Sequence, residues 1–324
     1  MLNDLLDLMI CRIPGLKGKE RVELEKKFDR EEDFSVLSKR DIEELLGRSL
    51  TGESWTISQI RSLAEKDSST AVKLGIRIVS WRESSYPPLL REIFDPPALL
   101  FYRGLLPNPE KPLVAVVGTR RPSSQASARA FFFGRELGEA GISVVSGLAL
   151  GIDAMAHRGN IEGKAPTIAV LGSGVDQVYP PSNRTLARRI LETGGCILSE
   201  YPPGTAPLKW NFHARNRIIS ALARGTVIVE APEKSGALIT ARFALDQGRD
   251  LWVDSASIRS RRGGGTARLA EDGAALISSA RDILSEWNIE GTKNEGNYGR
   301  EGQNNSVKAD LVSSLAEYLD IKRN

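Results

Sequence analysis

Residues 114–122 read Val-Ala-Val-Val-Gly-Thr-Arg-Arg-Pro, and residues 143–153 read Ser-Val-Val-Ser-Gly-Leu-Ala-Leu-Gly-Ile-Asp. Two short β-branched runs each end in a glycine-containing turn and lead into a helical stretch. This is the local pattern of a Rossmann-like sheet, in which ligand-facing loops leave the carboxyl ends of parallel strands. The first turn carries Arg120 and Arg121 where a dinucleotide-binding turn carries its second and third glycines. Guanidinium groups beside open backbone N–H groups suit phosphate. The phosphate can belong to a nucleotide or to a nucleic-acid backbone, and the rest of the chain has to decide between them.

Working outward, further strands are expected at 167–171, 196–199, 226–230, 251–253 and 275–277, with helical patterns between them. Ser123 caps a helix that ends near Gly141, and Asp153 is placed to cap the next. Alternating strands and helices mean right-handed crossovers and a mostly parallel sheet. The expected class is therefore α/β: an extended Rossmann-like, mostly parallel sheet with helices on both faces, preceded by a small helical domain. Its main domain covers 113–286. Residues 71–112 read as a connecting segment packed on that domain, with strands near 76–80 and 98–102. Rigid turns at Tyr86-Pro87-Pro88 and Asp95-Pro96-Pro97 punctuate it. Residues 287–306, rich in Gly, Asn, Glu and Lys, read as a flexible linker. The apolar positions of 307–321 suit a single amphipathic helix.

Residues 1–70 read as short helices forming a domain like a SAM or helix-hairpin-helix unit. Leu2, Leu5, Leu6 and Met9 share one face. The turn Ile13-Pro14-Gly15-Leu16-Lys17-Gly18 resembles a helix-hairpin-helix element, whose N–H groups can hold a phosphate. A plain packing turn is the favoured reading, because Glu20, Glu23 and Glu25 follow at once and would repel DNA.

The 324-residue chain is 41% hydrophobic with a net charge of +3, so composition allows nucleic-acid binding without arguing for it. Its two cysteines, Cys11 and Cys196, have neither metal nor disulfide spacing and read as buried thiols in a reducing compartment. The amino terminus lacks a basic signal-peptide region, and no apolar run has membrane-spanning length. A cytoplasmic, soluble protein is expected, with no metal site and no cofactor. A P-loop is excluded by Gly159–Ala165, which has the wrong spacing and no hydroxyl. Gly172-Ser173-Gly174 follows a strand but lacks the third glycine of a dinucleotide fingerprint. His157 and His213 lack ligand clusters and read as structural.

Four stretches are candidates for anion binding. Gly118, Thr119 and Arg120 form the first turn. Ser146 and Gly147 open the second loop, whose small residues admit a ligand to the backbone. In Lys209–Ser220, Lys209, Arg215, Asn216 and Arg217 interleave with Trp210 and Phe212, the mixture of cations and ring faces that single-stranded nucleic acid requires. The bland alternative puts the two rings in the core and both arginines in ion pairs. Ser235 and Gly236 stand at a helix start, where dipole and free N–H groups favour an anion. Gly263-Gly264-Gly265-Thr266, after Arg259, Arg261 and Arg262, reads as a mobile loop, either lid or plain surface.

Taken together, the chain resembles the DprA/Smf family of DNA-processing proteins. The resemblance rests on VAVVGTRRPS at 114–123, SGLALGIDAMAH at 146–157, TIAVLGSGVDQVYPPSN at 167–183, LSEYPPGTAPLKWNF at 198–212, ARNRIIS at 214–220, VIVEAPEKSGALITAR at 227–242 and ALDQGR at 244–249. The segment 80–104 fits what normally precedes them. The resemblance implies a Rossmann-like domain that binds single-stranded DNA without sequence preference. It further implies dimers that load the RecA recombinase during natural transformation, with DNA contacts at Arg120, Lys209 and Arg215–Arg217. The chain departs from the family's pattern at Leu150, where Arg is usual, and at His213, where Pro is common. It departs again at Asp254-Ser255-Ala256, in place of Val-Pro-Gly, and at Ala267, in place of Asn. The 38 residues after Glu286 are too few for the winged-helix domain that ends many members.

No nucleophile–base set is visible, so the leading expectation is a non-enzymatic DNA-binding mediator with no catalytic residue. The alternative is a nucleotide-processing protein related to phosphoribohydrolases. Their Pro-Gly-Gly-x-Gly-Thr-x-x-Glu loop corresponds to 234–240, but Thr240 is followed by Ala241, Arg242 and Phe243, without the catalytic Glu. A scaffold that binds only protein leaves the arginine turns unexplained. For the homodimer, an apolar patch around Ile219, Leu222, Phe243 and Leu245 is expected, with the 307–321 helix as second candidate.

Overall fold

The computed structural model describes residues 4–50 and 54–289. All of the expected linker beyond residue 289, and the 307–321 helix that was the second dimer candidate, lie outside the described residues. Five helices open the chain: α1 (Asp4–Arg12), α2 (Gly18–Lys27), α3 (Glu31–Ser35), α4 (Lys39–Leu46) and α5 (Ile57–Leu74). Their ends follow capping chemistry. Ser38 and Thr56 accept from the Asp41 and Gln59 N–H groups, and Gly47 and Gly75 close α4 and α5 in the left-handed region.

The strands and helices then alternate: β1 (Arg77–Ser80), α6 (Pro88–Arg91), β2 (Leu99–Gly104), β3 (Leu113–Val117), α7 (Ser124–Glu139), β4 (Ser143–Ser146) and α8 (Ile152–Glu162). They continue with β5 (Ile168–Val170), α9 (Arg184–Glu192), β6 (Cys196–Ser199), α10 (Lys209–Leu222), β7 (Gly225–Ile228) and α11 (Ala237–Asp246). The last are β8 (Asp250–Asp254), α12 (Gly264–Glu271), β9 (Ala275–Ile277) and α13 (Ala280–Glu286). All nine strands join one sheet in the order β1-β2-β6-β5-β4-β3-β7-β8-β9. From β6 to β9 the pairs are parallel, while β1–β2 and β2–β6 are antiparallel. The segment expected to connect and pack is thus itself two strands of the sheet.

Alternation along the strands divides the core between two faces. Phe101, Ala169, Leu171 and Ile197 join the core that contains Ile161, Ile190 and the buried residues of α1–α5. Leu100, Ile168, Val170 and Leu198 join the core that contains Ile218 of α10 and Ala241 of α11. Helices cover both faces, as a parallel sheet requires. On the first face α7 and α8 approach closely, because a side chain at Gly134 would collide with the Ala156 carbonyl and one at Gly159 with the Phe131 carbonyl. Asn160 completes that contact. It donates to the Gly134 and Ile142 carbonyls and accepts from the Val144 N–H.

The described residues as far as Ile283 form one compact unit. The described residues from Leu284 to Ile289 fall in a second, in which the Ile289 N–H donates to the Leu284 carbonyl at 2.9 Å. No described helix is long and apolar enough to cross a membrane. Both cysteines are free and buried. Three expectations change. The Gly263–Thr266 stretch is the start of α12, not a mobile loop: the Gly265 and Thr266 N–H groups donate to the Ala231 carbonyl, and Thr266 is fully buried. Asp153 lies inside the first turn of α8, and Gly151 holds the cap position. Ile219 and Leu222 are core residues, so of the proposed apolar patch only Leu245 is well exposed, with Phe243 half-buried.

Candidate nucleic-acid interface

In the strand order, β4, β5 and β6 follow β3 to one side and β7, β8 and β9 follow it to the other. The β3/β7 boundary is therefore a topological switch point, where loops diverge and leave a crevice beyond the carboxyl ends. A cleft of about 840 Å³ lies there. Its base is the turn after β3, and its sides come from α10 and from the turn that starts α11.

The β3 turn is held by Glu230, which follows β7. The Thr119 N–H donates to the Glu230 carbonyl at 2.8 Å. The fully buried Glu230 carboxylate accepts from the Ser123 N–H at 2.8 Å, the Ser123 hydroxyl at 3.0 Å and the Ser260 hydroxyl at 2.6 Å. One side chain thus fixes three loops around the cleft. Ser123 also caps α7 by accepting from the Ala126 N–H. Gly118 has no room for a side chain, since a Cβ would stand 2.6 Å from Ile152 and 2.9 Å from the Glu230 carbonyl. With Thr119, it lines the cleft and leaves Arg120 exposed at its mouth.

On α10, Lys209, Phe212, His213, Asn216 and Ile219 all line the cleft. Their spacing of three and four residues is one face of a helix. Phe212 presents its ring there, half-buried, with Arg120 at 5.5 Å and Arg215 at 5.9 Å from its centroid. Tyr179 stands beside it, with ring centroids 5.6 Å apart. Trp210 points elsewhere and is 67% exposed, so neither ring of this stretch is a core residue.

The two arginines of this helix separate. Arg215 runs beneath the cleft, buried, and donates to the Gly147 carbonyl at 2.9 Å and to the Val170 carbonyl. Burial pulls its pKa down to about 10, with repulsion from Arg120 adding to the effect and Asp153 opposing it. It therefore keeps its charge at neutral pH. Arg217 does not line the cleft. Its guanidinium meets the Glu200 carboxylate through two bonds of 2.7 Å, and its Nε donates to the Asp95 carbonyl at 3.0 Å. For Arg217 the ion-pair alternative describes the geometry.

Ser146 and Gly147 lie below the cleft surface and support it. The Ser146 hydroxyl donates to the Val116 carbonyl at 2.7 Å. A side chain on Gly147 would press on the Arg215 guanidinium, at 2.6 Å from its nearest nitrogen. Asp153 accepts from the Gly147 and Ala149 N–H groups, and burial holds its pKa above the usual carboxylate value despite the pull of Arg215. On the remaining side Ser235 and Gly236 line the cleft at the start of α11, where Asn216 donates to the Gly236 carbonyl at 3.2 Å. His157, buried against Thr167 at 2.7 Å, is a core histidine whose pKa burial depresses to about 3. No group of three or more potential metal ligands occurs among the described residues.

Charge pairing divides the molecule. Arg129 with Asp254, Arg217 with Glu200, Arg242 with Asp246 and Arg249 with Glu92 are all ion-paired. Among the described residues no carboxylate lies within ion-pair distance of Arg120, Arg121, Lys209, Lys234 or Arg262, all of which line the cleft. Sequence reasoning missed Glu230, Glu200 and Tyr179. Each acts through a partner far away in the chain.

The class that these features define is a Rossmann-like α/β protein with a basic, aromatic-sided cleft at its switch point. The family model of DNA recombination-mediator protein A matches residues 77–288, and the chain belongs to that family. It is 41% identical over 215 residues to the DNA processing protein DprA of Bacillus subtilis, covering 65% of this chain and 71% of that protein. The crystal structure of DNA processing protein A from Streptococcus pneumoniae superposes with a TM-score of 0.68 at 34% identity, over 87% of this chain and 93% of that one. A structure of DNA processing protein A from Helicobacter pylori, described for its single-stranded DNA binding mode, matches with a TM-score of 0.58 at 31% identity. It covers 65% of this chain and 95% of that one.

Proposed function

We propose that this protein binds single-stranded DNA without sequence preference in the switch-point cleft and acts there as a recombination mediator rather than as an enzyme. The observation that carries this reading is the set of cations without carboxylate partners around the Phe212 ring. Uncompensated cations attract phosphate, and an accessible ring stacks a base that a duplex keeps inside its own stack. Arg120 and Lys209 serve the backbone in this reading, with Thr119, Asn216, Ser235 and Gly236 as neutral partners. Arg215 supplies charge from below, and Ser146, Gly147 and Gly118 shape the cleft. The single-stranded DNA described for the Helicobacter pylori relative supports the same substrate class.

The lone carboxylate of the cleft lining is Asp153, which is buried and committed to two backbone N–H groups. A hydrolase with a carboxylate base needs one that reaches substrate, so this geometry favours binding over nucleotide processing by that route. The proposal extends to passing the strand to the RecA recombinase in the cytoplasm during transformation, with the protein acting as a homodimer. Membership of a recombination-mediator family supports that extension.

Labelled oligo(dT) and duplex DNA, titrated over a salt series, provide the test. Preference for the single strand, weakening linearly in log affinity against log salt, is the expected result. Tighter duplex binding, or salt-independent binding, overturns the reading.

A further inference from the structure

Part of the cleft's charge lies away from α10. Lys234, on the turn between β7 and α11, and Arg262, on the loop between β8 and α12, both line the cleft together with Arg121. Three loops therefore converge, and hydrogen bonds hold them together. The Ser260 hydroxyl donates to Glu230, whose carboxylate also takes the Ser123 groups of the β3 turn. The Arg262 N–H donates to the Ser260 hydroxyl at 3.2 Å, and its Nη1 donates to the Arg121 carbonyl at 2.7 Å. Arg262 is thus oriented by neutral carbonyls, which leave its charge uncancelled. The neighbouring carboxylate, Glu233, lies against Gly264 and does not line the cleft. Holding like charges together without a counter-charge is unfavourable unless an anion shares the site.

We infer that Lys234 and Arg262, with Arg121 beside them, form a second phosphate subsite, distinct from the one at Arg120 and Lys209. A bound strand then places one phosphate at each, and crosses from the α10 side of the cleft to the β7 side. This inference rests on the single-stranded DNA reading. It adds the strand's path, and it makes the binding site longer than α10 and the β3 turn alone provide.

The experiment compares salt slopes for oligo(dT) binding by the full chain and by the double variant Lys234→Gln, Arg262→Gln. Glutamine at 262 keeps a donor for the Arg121 carbonyl while removing the charge. Each lost phosphate contact lowers the slope by roughly 0.7, so the double variant, which removes one subsite, should lose about 0.7. Its affinity should also stop rising at a shorter oligomer length. Arg259 and Arg261 are exposed on the same loop and do not line the cleft, so the variant Arg259→Gln, Arg261→Gln is the control and should keep the parent slope. An unchanged slope in the Lys234 and Arg262 variant overturns the subsite. An equal fall in the control overturns it too, by assigning the effect to overall charge. A parent chain that binds no oligo(dT) defeats the underlying reading instead, a result separable from both.

Discussion

Two regions of this chain have the raw material for holding a phosphate, the helical hairpin at residues 13–18 and the switch-point cleft, and they have resolved their charges in opposite ways. At the hairpin the N–H groups of residues 17 and 19 are already taken. Lys17 donates to Glu20 at 2.7 Å, and Lys19 donates at 3.0 Å to Asp95, which belongs to the segment before the β3 strand. Arg48 closes on Glu20 and on the Gly15 carbonyl. Gly18 fits so tightly against the Pro96 carbonyl that no side chain could stand there. Carboxylates of the protein occupy the place a phosphate would take. In the cleft, Glu230 fixes the loops, and among the described residues no carboxylate lies within ion-pair distance of Arg120, Lys209, Lys234 or Arg262. Basic residues alone do not mark a binding site; basic residues whose neighbours are spent elsewhere do.

The largest effect should come from disturbing a cation that is paired. Arg217 shares α10 with the cleft residues, yet it is buried against Glu200. Its charged form is strongly favoured: Glu200 and Asp95 offset the penalty of burial and raise its pKa. Glu200→Ala leaves a buried guanidinium short of its main partner, which costs about 3–5 kcal/mol. Denaturant unfolding measures this directly. A midpoint equal to that of the parent would place Arg217 among the free cations and erase the distinction drawn within the helix.

Arg120→Ala should behave in the reverse manner. A charge-assisted contact to phosphate is worth roughly 1–3 kcal/mol, so oligo(dT) affinity should fall by that amount. Folding stability should change by no more than about 0.5 kcal/mol, because Arg120 is exposed and has no carboxylate within ion-pair distance among the described residues. Loss of stability without loss of affinity would reverse the roles assigned to Arg120 and Arg217.

A graded effect, spread over a range of pH, distinguishes the helical region from the sheet. Glu25 of α2 is fully buried near Asp7, and burial pushes its pKa up to about 9. The folded chain holds a proton there that the unfolded chain releases above about 4.5. Its contribution is complete below that pH and is lost as pH rises toward 9, by at most about 1.4 kcal/mol per pH unit. His157, in the sheet region, has the opposite slope. Its folded pKa of about 3 lies below the ordinary 6.5, so stability falls as pH drops through that window. Glu25→Gln should remove the alkaline loss and keep the acid one. Thermal midpoints from pH 4 to pH 9 would expose an error as a parallel shift at every pH.

The fold was legible in the sequence because it depends on local signals. Short β-branched runs ending in glycine turns, and a serine cap at Ser123, lie within a few residues of what they specify, and the observed strands fall within a residue or two of the expected spans. The 71–112 segment was harder. Its second strand, β2, pairs antiparallel with β6, almost a hundred residues further on, and nothing local announces that register. The site divides along the same line. The interleaving of cations and rings already marks Lys209, Phe212 and Asn216, while the shared helix face that joins them to His213 appears only in the structure. The fate of Arg217 depended on Glu200 and Asp95, which no spacing rule connects to it. The Gly263–Thr266 run read as loop because glycine is a poor helix former; the Ala231 carbonyl, accepting two of its N–H groups, overrides that preference.

The smallest expected effect is the sharpest check on the comparison. Lys17 stands at the start of α2, exposed, in the turn that most resembles a DNA-binding hairpin. If exposed charge near a helix start were sufficient, Lys17→Gln would weaken oligo(dT) binding as Arg120→Ala does. The geometry argues otherwise. The hairpin N–H groups at 17 and 19 already serve Glu20 and Asp95, so an incoming phosphate would meet two carboxylates and no open donor from these positions. Repulsion from those carboxylates opposes whatever attraction the lysine supplies. The variant should therefore change affinity by no more than about 0.5 kcal/mol, the usual range for an isolated surface position. A loss matching that of Arg120→Ala would mean that the hairpin opens to DNA despite its internal partners, and that both regions belong to the binding surface.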